Sequence, residues 1–236
     1  MTDADVESSS AAYARRFAGP VGRWFLDVQA RTTLELLAPP PGASVLEVGG
    51  GHAQLTGPLV EAGCDVMVYG SAPSAGERVQ DWVSAGRARF RSGPLLHAPW
   101  PDSSFDAVLA FRLLPHVEPW RALVAELCRL ARRLVIVDYP TARSANAVSG
   151  SLFGVKKGIE GDTRPFRVFR DDEIERAFTD AGFASTGRRP QFLLPMALHR
   201  GLRLVAVSRA VEAVARASGM TRAWGSPVIL RAERRG

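Results

Sequence analysis

Apolar positions along this chain alternate between two spacings, one helical and one extended. Val21, Trp24, Phe25 and Val28 recur at helical spacing, and Pro39, Pro40, Pro41 and Gly42 end that helix. Residues 44–49 form a short apolar run that reads as a strand, and 53–62 read as a helix stopped by Gly63. The pattern then repeats. Residues 64–69 are a Val-rich strand, and Ser74 with Glu77 has the S-x-x-E spacing of a capping box opening a helix over 74–85. Further strands are expected at 87–91, 105–111 and 133–139, with a helix over 119–131 between the last two. Ile174, Ala177, Phe178 and Ala181 mark a helix with acidic residues 171–173 at its start and Gly182 at its stop. Two late strands, 188–194 and 226–232, bracket an apolar helix carrying Leu204, Val207, Val211 and Val214.

Strands alternating with helices, with no internal repeat, predict an α/β fold: a doubly wound, seven-stranded, mostly parallel sheet with N-terminal helices and a C-terminal helical insertion. Ligands of such sheets bind beyond the carboxyl ends of the strands, which directs attention to Gly49, Gly70, Ser92, Phe111 and Tyr139.

Composition narrows the picture. With 236 residues, 46% hydrophobic and 23% charged, the chain has the make-up of one globular domain, neither disordered nor fibrous. No run reaches the length of a membrane-spanning helix and residues 1–10 lack a basic leader, so the expected address is cytoplasmic. Cys64 and Cys128 have neither CxxC spacing nor a histidine cluster, so no metal site is expected. The net charge of +6 raises the question of nucleic acid. Of the thirty basic residues only Lys156 and Lys157 are lysine; the remaining 28 are arginines scattered along the chain with no aromatic-plus-basic motif, which disfavours a nucleic-acid partner.

The chemistry concentrates at Glu47-Val48-Gly49-Gly50-Gly51, between the first strand and its helix. Glycines there keep the turn tight and let backbone approach a ligand. A dinucleotide fingerprint counted from Gly49 would need Gly or Ala where Gln54 stands, and no G-K-[ST] follows, so dinucleotides and nucleoside triphosphates are disfavoured. The acid Glu47, two residues before the first glycine, remains to be explained.

Glu47-Val48-Gly49-Gly50-Gly51 resembles the E/D-x-G-x-G motif of the class I S-adenosylmethionine-dependent methyltransferases. Trp100-Pro101-Asp102-Ser103-Ser104-Phe105-Asp106 is similar to the family's P-D-x-S-F-D segment before strand four, and Leu114-Pro115-His116-Val117-Glu118 to the segment after it. The resemblance runs from about Val45 to Pro140 and implies a Rossmann-like fold, with a core for S-adenosylmethionine (product S-adenosylhomocysteine) at 41–140, a helical segment at 1–40 and a substrate-side half at 141–236. It implies that Gly49, Gly50 and Gly51 face the cofactor through backbone, with Glu47 near its methionine ammonium. The alternative for Glu47, read from the residues alone, is a strand-end carboxylate bonded to loop amides. The family's ribose-binding acid after strand two falls on Gly70, and its adenine-binding Asp on Pro94. Ser71 and Leu95 are the replacements at hand, and a carboxylate introduced at Gly70 is expected to tighten cofactor binding. Phe111 and Arg112 close the crevice after strand four, and Tyr13, in a Y-x-x-x-F spacing, resembles the family's N-terminal lids.

Methyl transfer from a sulfonium needs chiefly positioning, with a base for an oxygen or nitrogen acceptor. His116, in the loop after strand four, and His199, after the apolar segment 192–196, are the candidate bases. The D/N-P-P-Y motif of nucleic-acid methyltransferases is absent after strand four, and residues 141–170 and 195–222 include apolar side chains suited to covering a small molecule. The expected function is methyl transfer to a small-molecule acceptor, with oxygen placed ahead of nitrogen or carbon; the alternative is a methyltransferase-like, non-catalytic binding or regulatory protein. Neither the acceptor nor the oligomeric state is readable.

Overall fold

The computed structural model describes residues 4–50, 53–144, 166–202 and 204–236. Seven strands form one sheet in the order β3-β2-β1-β4-β5-β7-β6. They are β1 Ser44–Val48, β2 Asp65–Gly70, β3 Ala88–Ser92, β4 Phe105–Ala110, β5 Ala131–Tyr139, β6 Phe183–Phe192 and β7 Ser226–Arg234. The first five pair in parallel, and β7 inserts antiparallel between β5 and β6. The chain order turns back between β1 and β4, which places the ligand crevice beyond their carboxyl ends.

Strand alternation decides what each face receives. Leu46, Val48, Val108, Ala110, Val135 and Val137 pack on one face under α6 (Trp120–Leu130) and α7 (Asp171–Asp180). Val45, Ala107, Leu109, Phe111, Leu134 and Ile136 pack on the other, under α3 (Gly19–Leu37) and α4 (Thr56–Glu61). Glu47 and Asp138 continue this second face, two residues beyond Val45 and Ile136. Two buried carboxylates therefore lie on one side of the sheet, toward its carboxyl end.

Several expectations are corrected in detail. Residues 74–85 are not one capped helix: a 3-10 turn over Pro73–Val79 precedes α5 (Gln80–Ser84), and neither start has a side-chain cap. The close approach of this turn to Phe90 explains it, since a Cβ at Gly76 would sit 2.7 Å from that ring. β6 begins five residues earlier than expected because it is a polar edge strand, containing Arg188, Arg189 and Pro190, whose hydrophobic pattern is weak. The N-terminal residues form two short helices, α1 (Ala4–Ser9) and α2 (Ala11–Arg15), the second capped by the Ser10 hydroxyl. Three more helices, α8 (Met196–Leu202), α9 (Val205–Ala217) and α10 (Met220–Trp224), lead into β7.

Candidate active site

The turn after β1 is built as the glycines suggest. Gly49 has φ +69°, and its N–H donates to the Tyr69 carbonyl at 2.8 Å, tying β1 to β2. A Cβ at Gly50 would lie 2.5 Å from Glu47 Cγ, so the chain folds back over the glutamate only because residue 50 has no side chain. Glu47 is buried, accepts a 2.7 Å hydrogen bond from the Thr56 hydroxyl, and has its carboxyl pushed up to about 7 by burial, which that hydrogen bond only partly offsets. A buried carboxylate with no cation against it among the described residues is a fitting receptor for an ammonium group, and a glycine turn over it is a fitting cradle. The donor set thus suits the methionine end of S-adenosylmethionine. Gly51 and His52 lie outside the described residues.

At the end of β2 the structure brings in an acid from another part of the chain. Asp5, from α1, is fully buried and accepts hydrogen bonds from the Ser71 N–H at 2.7 Å and from the Ser71 hydroxyl. A Cβ at Gly70 would lie 2.6 Å from Ala75 Cβ and 3.2 Å from Asp5 Oδ2. The expectation that a carboxylate fits at position 70 is therefore corrected: that space is taken. Leu95 is buried beside Tyr69, whose hydroxyl donates to the Pro94 carbonyl at 3.2 Å. Phe111 is turned into the core under α3 and α4, so it is packing rather than crevice wall.

Beside the turn, a cavity of about 320 Å³ opens between the N-terminal helices and the carboxyl ends of β4 and β5. Its wall is mostly apolar, with Phe17, Phe25, Phe166, Phe192, Leu194 and Met196. Its polar side is a network that joins distant parts of the chain. Asp138 accepts from the Arg112 N–H at 2.6 Å and from Gln29 Nε2 at 2.9 Å. Gln29 Oε1 in turn accepts from Arg112 Nη2 at 2.8 Å and from Gln54 Nε2 at 2.6 Å. Arg112 adopts φ +56°, and its guanidinium lies 3.9 Å from the Phe17 ring centroid. Burial raises the pKa of Asp138 against the opposing effect of Arg112, and lowers that of Arg112 against the opposing effects of Tyr13 and Asp138. Burial likewise raises the Tyr13 hydroxyl. Arg112 Nη1 and Gln191 Oε1, both on cavity-lining residues, are buried and have no hydrogen-bond partner among the described residues.

Of the two histidines, the structure brings only His116 to the cavity, where its ring is 5.6 Å from Phe166. His199 is fully buried among Trp24, Phe25 and Phe192, and its Nε2 is 3.0 Å from Glu212 Oε1. It does not line the cavity, so His199 is corrected from candidate base to packing. Tyr13 and Arg112 stand at the cavity rather than at the glycine turn. Gln29 and Asp138, which line the cavity, and Asp5, which meets Ser71, were not among the expected site residues; the signal available for Asp138 was its place at the carboxyl end of a strand. Among the described residues no group of three His, Cys, Asp or Glu side chains could hold a metal ion, and no helix is long and apolar enough to cross a membrane.

Comparison with known proteins agrees with this geometry. Residues 23–186 match the family described as "Methyltransferase domain". A curated relative, demethylmenaquinone methyltransferase of Beutenbergia cavernae, is 30% identical over 119 residues; the match spans 47% of each chain, about half the length of that relative. Among solved structures, magnesium protoporphyrin IX methyltransferase of Synechocystis PCC 6803 with bound S-adenosylhomocysteine superposes with TM-score 0.68 at 18% identity, covering 97% of this chain and 96% of the other. Geranyl diphosphate methyltransferase, in complex with GPP and sinefungin, gives TM-score 0.61 at 17% identity, covering 89% of this chain and 77% of the other. The glycine turn over a buried Glu47, the strand order and the match over most of its length together assign this chain to the methyltransferase domain family, as an S-adenosylmethionine-dependent class I methyltransferase.

Proposed function

We propose that this enzyme methylates an oxygen of a small, largely apolar molecule held in the cavity beside Arg112. The observation that carries the reading is the cavity itself: an apolar wall with one polar side, where buried Arg112 Nη1 and Gln191 Oε1 have no hydrogen-bond partner among the described residues. The names of the relatives support a small-molecule acceptor, each naming one.

In this reading the cofactor supplies an electrophilic methyl group on a sulfonium sulfur. Glu47 receives the ammonium, the backbone of Gly49 and Gly50 lies along the methionine, and Ser71 with Asp5 and Leu95 borders the nucleoside. Arg112 and Gln191 fix the acceptor's polar end. Asp138, whose pKa burial raises, takes the hydroxyl proton, and His116 also lines the cavity. Both described cysteines are free and buried, which supports a reducing, cytoplasmic setting.

The test is isothermal titration with S-adenosylhomocysteine, followed by isotope-labelled methyl transfer to a panel of phenols, aliphatic alcohols, amines and carbon acids with product mass analysis. Labelled ethers from the hydroxyl compounds are expected. Transfer only to amines or carbon acids would sink the oxygen assignment, and no titration signal at millimolar cofactor would sink the site.

A further inference from the structure

The polar groups of the cavity differ in what they still need. Asp138, the one acid on the wall, has both oxygens occupied: Oδ1 accepts from the Arg112 backbone N–H at 2.6 Å and Oδ2 from Gln29 Nε2 at 2.9 Å. The Arg112 guanidinium makes no ion pair among the described residues. Its Nη2 donates to Gln29 Oε1 at 2.8 Å, the Tyr13 hydroxyl hydrogen-bonds it, and it lies on the Phe17 ring. All three partners are neutral, since burial raises the pKa of Tyr13 and keeps its proton on. Nη1 is buried and has no partner at all among the described residues. A desolvated cation met only by neutral groups lacks its counter-charge, and an anion entering the cavity supplies it.

Gln191 limits where that anion sits. Its Nε2 donates to the Arg189 carbonyl at 2.9 Å, so the end of the amide left without a partner is the oxygen, an acceptor only. The strand end beside it is held in place, because Glu212 accepts from the N–H groups of Leu193 and Leu194 at 3.0 Å each. An anion is repelled at Gln191 Oε1 and drawn to Arg112 Nη1.

We propose that the acceptor is an apolar monocarboxylate, whose carboxylate accepts a hydrogen bond from Arg112 Nη1. Charge selects this class. One cation with one unpartnered N–H matches one negative charge, whereas a phosphate or diphosphate would bring further charge against a wall with no other arginine or lysine. An ammonium compound would meet Arg112 as a like charge. A hydrocarbon without polar groups would leave Nη1 buried and unsatisfied. The inference rests on the reading of this cavity as the acceptor site, and it adds the acceptor's charge; the hydroxyl that reacts is a separate group of the same molecule.

The experiment is isothermal titration of cinnamate, cinnamamide and cinnamylamine, an acid, an amide and an amine on one skeleton, into the full-length protein saturated with S-adenosylhomocysteine. Cinnamate is expected to bind at least about tenfold more tightly than the amide, and the amine more weakly than either, as a hydrogen bond to a charged group would give. Arg112→Gln should remove the preference for the acid by weakening cinnamate and leaving the amide within about twofold. Arg112→Lys, which keeps the charge, and Gln191→Leu, which keeps Arg112, should both retain the preference. If Arg112→Gln melts early, the wild-type comparison of acid with amide decides. Equal binding of acid and amide, no binding of the acid, or a preference that survives Arg112→Gln in a folded variant overturns the proposal. Methyl transfer plays no part in this readout. A preference for acids with methylation only at nitrogen or carbon would sink the oxygen assignment and leave the charge assignment standing, and ethers formed from neutral phenols that bind as well as acids would do the reverse.

Discussion

The carboxylate of Asp5 is bonded to both the backbone N–H and the hydroxyl of Ser71, the residue that follows Gly70 at the end of β2. An N-terminal helix thereby delivers an acid to a strand end that carries none of its own. Asp5→Ala is expected to weaken S-adenosylhomocysteine binding by about tenfold or more, since hydrogen bonds to a charged group are worth roughly 1.5–3 kcal/mol. Titration calorimetry reads this, and unchanged or tighter binding would remove Asp5 from the nucleoside side.

Gly70→Asp should now do the opposite of what the sequence pattern suggests. Its Cβ would press on Ala75 at 2.6 Å and its charge on Asp5, so the variant is expected to lose about 1–3 kcal/mol of stability and to bind more weakly. Denaturant unfolding and titration of the same sample decide it.

Glu47 has a pKa raised to about 7 by burial, so in the folded, ligand-free protein it holds a proton that the unfolded chain has already released. Its stabilising contribution is present below its ordinary value near 4.5 and is lost as pH rises toward 7, at about 1.4 kcal/mol per pH unit while the folded group stays protonated. Glu47→Gln should flatten that slope. An ammonium arriving beside it lowers the pKa, so binding just below pH 7 should release a proton. Calorimetry in two buffers of different ionisation enthalpy measures it, and Glu47→Gln should abolish the difference.

Asp138→Asn keeps the size of the side chain and removes its capacity to take a proton. Turnover on a hydroxyl acceptor should fall about 10²-fold or more while S-adenosylhomocysteine affinity changes little. A fall in affinity as large as the fall in turnover would mean that Asp138 only holds Arg112 and Gln29 in place.

Glu212→Ala would strand two backbone N–H groups and His199 in a buried site, costing about 3 kcal/mol or more in denaturant unfolding. Because Leu194 and Met196 line the cavity, KM for the acceptor should rise more than kcat falls. Steady-state kinetics on the variant checks the split.

Local patterns determined much of this protein. The Val-rich runs, the glycine turn after Val48 and the helix from Asp171 are set by residues adjacent in the chain, where period and turn chemistry act directly, and Glu47 was identifiable because its glycines stand beside it. Tertiary structure alone decided the rest. Gln29 reaches Asp138 across 109 positions, and Asp5 reaches Ser71 across 66, pairings that depend on how α3 and α1 pack and leave no periodic trace. His199 looked like a candidate base by its neighbours, yet Trp24, Phe25 and Phe192 close around it. The stripe from Leu204 to Val214 carried the spacing of a core-facing helix, but a spacing names a face without saying which way it turns; Glu212 and the backbone amides it must satisfy turned it outward.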